Sequence, residues 1–102
     1  MTTDALVIHE GDNVATALRD IEAGAVVTVG RGTTRHEMEI HEHIAYGHKF
    51  ATRDIAKSEL ILKYGETIGR ATSPIGQGTH AHIHNIESLR GRGDLEKGGM
   101  PA

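Results

Sequence analysis

A short unit recurs along the chain and limits how it can fold. Asp20-Ile21-Glu22-Ala23-Gly24-Ala25-Val26-Val27 is one copy and Asp54-Ile55-Ala56-Lys57-Ser58-Glu59-Leu60-Ile61 a second. Pro74-Ile75-Gly76-Gln77-Gly78-Thr79-His80-Ala81 is a third. Each sets a restrained residue before an isoleucine, then two spacers, then glycine or serine, then a run into apolar or small residues. Physically this is a turn whose isoleucine plugs the core and whose glycine makes a tight stop. A strand follows each turn, and a pinned turn fixes that strand's register.

The intervening segments read mainly as strands. Ala5-Leu6-Val7-Ile8, Ala25 to Val29, Leu60 to Tyr64 and Thr67 to Thr72 are short apolar or β-branched runs bounded by turn residues. Gly69 inside the last of these predicts a bulge or a close backbone approach. From Arg35 to Ile44 the pattern alternates, with Met38, Ile40 and Ile44 on one face and Glu37, Glu39, His41 and His43 on the other. His41 and His43 therefore read as part of an exposed acidic face. One helix is expected: Val14, Ala17, Leu18 and Ile21 fall at i, i+3, i+4 and i+7, with Asp12 or Asn13 as cap and Gly24 as stop. The expected fold class is mainly β with one helix.

With 102 residues the chain makes one domain, and 3% aromatic content makes its core thin and aliphatic. Such a core leaves surface for a second copy, in a homo-oligomer, or for another chain. A net charge of −3 argues against nucleic acid or an anionic membrane as partner. Without cysteine there is neither a disulfide framework nor a thiolate site. The first residues lack the pattern of a signal peptide and no run approaches a membrane span, so a cytoplasmic location is expected.

The chemistry-bearing stretch is Gly78-Thr79-His80-Ala81-His82-Ile83-His84-Asn85. On a strand, His80, His82 and His84 would leave one face as a row, neighbours about 6.6 Å apart. Two imidazoles at that separation can converge on one divalent ion. The plain alternative is a solvated strand face. Earlier, Tyr46-Gly47-His48-Lys49 places a histidine and a lysine just past a turn, a pair suited to a carboxylate.

Six motifs occur in order: Asp12-Asn13-Val14-Ala15, Gly47-His48-Lys49-Phe50-Ala51, Arg53-Asp54-Ile55-Ala56-Lys57, Lys63-Tyr64-Gly65, Ile68-Gly69-Arg70-Ala71-Thr72 and His82-Ile83-His84-Asn85. Together they resemble the SAF-type N-terminal domain of the altronate and galactarate dehydratases, and the related alpha subunit of (2R)-sulfolactate sulfo-lyase. The resemblance runs from about Ala5 to Asp94. It departs at Ala45-Tyr46, where the family more often has a proline, and at Ser58, where it has glycine.

The resemblance implies a SAF-type β-clip over residues 1–94 and a flexible tail over 95–102. It implies the small subunit of a hydroxy-acid lyase, inactive without a large dehydratase subunit, that eliminates water from a sugar acid. Elimination of sulfite from sulfolactate is the alternative. It implies a divalent metal, Fe2+ first and Mn2+ second. On this reading His82 and His84 are metal ligands, Lys49 and Asn85 contact substrate, and His48 and Lys49 are the catalytic candidates. A different class remains: a non-catalytic module that caps or assembles the large subunit. Recognition of sugar acids by β-clip analogy is a third reading.

Overall fold

The computed structural model describes residues 3–89. The expected tail over 95–102 and the boundary at residue 94 lie outside them. Nine strands follow in order: β1 (Ala5–Val7), β2 (Val14–Ala17), β3 (Val26–Arg31), β4 (Thr34–Glu39), β5 (Lys49–Ala51), β6 (Leu60–Lys63), β7 (Glu66–Ala71), β8 (His80–Ala81) and β9 (Ile86–Ser88). They form a six-stranded sheet, ordered β4-β3-β1-β2-β5-β8, and a three-stranded sheet, ordered β6-β7-β9. Among the described strands only β1 and β3 pair in parallel. The all-β architecture agrees with a β-clip. Among the described residues no helix is long and apolar enough to cross a membrane.

The described residues do not contain the expected helix: Val14 and Ala17 belong to a strand and Ile21 to a turn, with the exposed Leu18 between them. Val14 and Ala17 lie in β2, which pairs with β1 on one side and β5 on the other. Ile21 begins a turn. The expected cap residues do other work. The fully buried Asn13 side chain accepts from the Leu62 amide (2.8 Å) and donates to the Leu60 carbonyl (2.9 Å). The Asp12 carboxylate accepts from the amides of His9 (3.1 Å), Tyr64 (2.8 Å) and Gly65 (2.9 Å). Strand pairing that satisfies the backbone on both edges overrides a four-residue helical period.

Four loops share one construction, where the sequence pattern showed three. Ile21, Ile44, Ile55 and Ile75 are buried, and three residues after each stands a positive φ: Gly24 (90°), Gly47 (84°), Ser58 (75°) and Gly78 (81°). Each loop closes on itself through an amide-to-carbonyl bond: Ala25 to Glu22 (3.1 Å), His48 to Ala45 (2.9 Å), Glu59 to Ala56 (3.0 Å) and Thr79 to Gly76 (3.1 Å). Positive φ at the third position is what a type II turn requires. The loops associate in pairs. Ile21 and Ile44 exchange two backbone hydrogen bonds (2.8 and 2.9 Å), and so do Ile55 and Ile75 (both 2.8 Å).

Two apolar clusters result. One gathers Ala15, Ala17, Ile21, Ile40, Ile44 and Phe50 with strands β1 and β3; the other gathers Val14, Ala51, Ile55, Ile61, Ile75 and Ala81. Strands β2 and β5 send alternate side chains into each cluster, which is why both read as nearly continuous small and apolar runs. Gly69 is required by close approach. A Cβ there would meet the Glu87 carbonyl oxygen and the Ile86 side chain, both at 2.6 Å.

Candidate functional site

The turn at Ile44-Ala45-Tyr46-Gly47 delivers His48 to the mouth of β5. Its backbone is pinned, since the Ala17 amide donates to the His48 carbonyl at 2.9 Å. The turn at Ile75-Gly76-Gln77-Gly78 delivers His80 to β8. There His80 lies opposite Phe50, and its amide donates to Glu42 Oε1 at 2.7 Å. The pairing of β5 with β8 therefore brings together two histidines from different turn pairs. His48 Nδ1 and His80 Nε2 lie 2.9 Å apart.

His82 completes the group by a different route from the one expected. The strand ends at Ala81, so His80, His82 and His84 do not form a row on extended backbone. Asn85 turns the chain back. Its Oδ1 accepts from the His82 amide (2.9 Å), its Nδ2 donates to the His80 carbonyl (2.9 Å), and its own amide donates to the His82 carbonyl (3.1 Å). Asn85, expected at the substrate, is buried with both side-chain groups engaged in this turn. The turn folds the His82 ring against His48, with centroids 4.3 Å apart and planes 23° apart. His82 also stacks on His80 at 5.2 Å.

The ligating nitrogens that share reach are those of His48, His80 and His82, all within 4.8 Å of one another. His84, expected as a ligand, is exposed and outside this trio. Its ring is tilted 33° against His80 at 5.1 Å. His41 and His43 are exposed, as the alternating pattern implies, and neither joins the group.

The trio suits a divalent ion on three counts. Two ligand nitrogens about 2.1 Å from one ion lie at most about 4.2 Å apart, so the observed spread is close to what ligation needs. His82 Nδ1 is buried and has no hydrogen-bond partner among the described residues, so its lone pair or proton is unused there. Third, burial first, then the neighbouring charges of His48, His82 and His84, push the His80 imidazole below its ordinary value against the pull of Glu42. Burial, then His48, Lys49 and His84, push His82 the same way. Both rings are thereby biased to the neutral form that ligates without displacing a proton.

His82 also lines a cleft of about 240 Å³. Lys49, from β5, and Lys63, from β6, both line it, together with Tyr64, Ile83, Ile86 and Ser88. Lys63 Nζ sits 4.6 Å from the centre of the Tyr64 ring. Lys49 is half-buried, and burial first, then repulsion from Lys63, lowers its ammonium below its ordinary value. Lys49, expected at a substrate carboxylate, lies in the wall of this cleft. Lys63 entered the sequence reading only within a family motif, with no role, and the ligands expected there were His82 and His84 rather than His48 and His80. The signal for His48 was present in Ile44-x-x-Gly47, a fourth copy of the turn that places the next residue at a strand mouth.

The family model described as the altronate/galactarate dehydratase SAF domain matches residues 3–89. The chain is 45% identical over 81 residues to altronate dehydratase of Escherichia coli K12, covering 79% of this chain and 16% of that protein. It is 35% identical over 88 residues to the (2R)-sulfolactate sulfo-lyase subunit alpha of Chromohalobacter salexigens, covering 82% of this chain and 94% of that subunit. It is also 38% identical over 74 residues to galactarate dehydratase (L-threo-forming) of Escherichia coli K12, covering 71% of this chain and 13% of that protein. The chain thus spans a small part of each dehydratase and nearly all of the sulfo-lyase subunit.

Proposed function

Because the chain belongs to the altronate/galactarate dehydratase SAF-domain family, we propose that it is the small subunit of a metal-dependent lyase acting on a hydroxy acid. It works beside a large dehydratase-type subunit and eliminates water from a sugar acid; the sulfolactate relative supports sulfite as the alternative leaving group. The observation that carries the reading is the trio of His48, His80 and His82 at the edge of a lysine-bearing cleft.

In this reading His48, His80 and His82 would hold the ion, and His82 also lines the cleft. A divalent ion, Fe2+ or Mn2+, would supply Lewis acidity toward the acid's carboxylate and adjacent hydroxyl. Lys49 neutralises substrate carboxylate charge from the cleft side, where Ile68 and Ile86 form apolar wall. Asn85 acts as a positioning residue: it fixes the turn that brings His82 to His48. Removing the weakly acidic proton and protonating the leaving group need a base and an acid. The large subunit contributes what this chain does not.

The test is metal content by elemental analysis of the purified chain after loading with Mn2+, for the wild type and for His48→Ala, His80→Ala and His82→Ala, alongside elimination activity with and without the large subunit. The expected result is one ion per wild-type chain, lost in each variant, and activity only in the complex. An assembly role has one observation in its favour, the 84% exposed Ile83 beside the site. A chain that takes up no metal, yet raises the stability of the large subunit, would establish that reading instead.

A further inference from the structure

We propose that the cleft beside the histidine trio is a second oxyanion subsite, formed by Lys49 and Lys63, so that the ligand is a dianionic hydroxy acid rather than a monoacid. The proposal rests on the trio reading for the position of the acid's first carboxylate.

Charge is the first argument. Two ammonium groups from different strands line one small cleft, and no carboxylate side chain lines it with them. Like charges so placed repel, and the repulsion grows as water leaves. Ile68 and Ile86 place apolar wall beside the two lysines, while Ile83 is 84% exposed. Tyr64 holds Lys63 in place, with Nζ 4.6 Å from the ring centre. An oxyanion between the two lysines removes the repulsion and satisfies both.

Contiguity is the second argument. His82 belongs to the trio and also lines the cleft. An acid whose carboxylate and hydroxyl sit at the trio can therefore extend its other end past the His82 ring toward the lysines. A monoacid would bring one carboxylate to two cations, and Lys63 would meet no charge of the ligand. A second carboxylate or a sulfonate at the far end meets them, and Ser88 adds a hydroxyl at the rim. A cleft of about 240 Å³ suits such an end group and not an oligosaccharide.

Matched pairs of ligands test this on the Mn2+-loaded chain by calorimetry. Galactarate and galactonate differ only in the far carboxylate; sulfolactate and lactate differ in the sulfonate. The dianion of at least one pair should bind tenfold or more tighter than its monoanion, and the pair that does so identifies the oxyanion. Lys63→Met should abolish that difference while leaving monoanion affinity and metal content unchanged, and Lys63→Arg should keep it. Equal affinity within both pairs, no binding of any of the acids, or a Lys63→Met loss shared by both members of a pair would overturn the subsite. Failure here with metal retained leaves the trio reading intact. Charge selectivity retained in a chain that takes up no metal refutes the trio and not the lysines.

Discussion

Ser58 holds the one turn of four that lacks glycine at the left-handed position, and Ser58→Gly should stabilise the protein. Its φ of 75° matches the 81–90° of Gly24, Gly47 and Gly78. The Ser58 amide makes the same kind of bond as theirs, to the Ala71 carbonyl at 2.8 Å, and its side chain is exposed. A residue with a Cβ loses about 1–2 kcal/mol in this conformation. Glycine recovers that but loosens the unfolded chain, which takes back about 0.4–1 kcal/mol. The net gain is about 0.5–1 kcal/mol. For a domain of this size that raises Tm by about 2–8 °C. Two substitutions calibrate the reasoning. At Gly24 an added Cβ meets nothing within 4 Å, so Gly24→Ala should lose about as much as Ser58→Gly gains. At Gly78 an added Cβ would run into the Glu39 carbonyl oxygen and approach His41 Cδ2 to 3.0 Å. Gly78→Ala should therefore cost more, about 2–4 kcal/mol. Urea unfolding of the set at pH 7, with unchanged m values, measures all three. If Ser58→Gly lowers the midpoint while Gly24→Ala leaves it unmoved, backbone conformation does not control these turns and the reasoning fails.

The Asp12 carboxylate should make stability depend on acid. Burial raises its pKa, but the amides of Gly65, His9 and Tyr64, aided by the His9 charge, outweigh burial and hold it below its ordinary value. A lowered folded value means the contribution is fully present above the unfolded pKa of about 3.9 and is lost as pH falls through the folded one. Asp12→Asn should cost about 1–3 kcal/mol at pH 7, and the gap from wild type should close as urea unfolding is repeated below about pH 4. Phe50 is fully buried and the only phenylalanine in a thin core. Phe50→Ala should cost about 3–5 kcal/mol and lower the urea midpoint accordingly.

What the sequence made legible were local devices: strands bounded by glycine, turns opened by isoleucine, and the exposure of His41 and His43, although the strand expected to carry them ends at Glu39. It hid whatever depended on pairing between distant segments. Val14, Ala17, Leu18 and Ile21 have a helical period, and only the neighbours β1 and β5 make the first two a strand. The fourth turn escaped because His43 stands where the other copies have Asp20, Asp54 and Pro74. That omission carried the site with it. His48 follows the missed glycine, and its partner His80 is 32 residues away. The three alternating histidines invited a strand, but the Asn85 side-chain amide closes a turn through His80 and His82. The same duplication of turns that builds the fold also builds the site. Gly47 ends a turn of the first pair and Gly78 a turn of the second, and strand β5 lies between the two apolar clusters. Each glycine releases its chain beside that strand, so the histidines that follow are delivered to one edge from opposite halves of the molecule. Local periodicity cannot register such a meeting, since neither half contains enough of it to be seen alone.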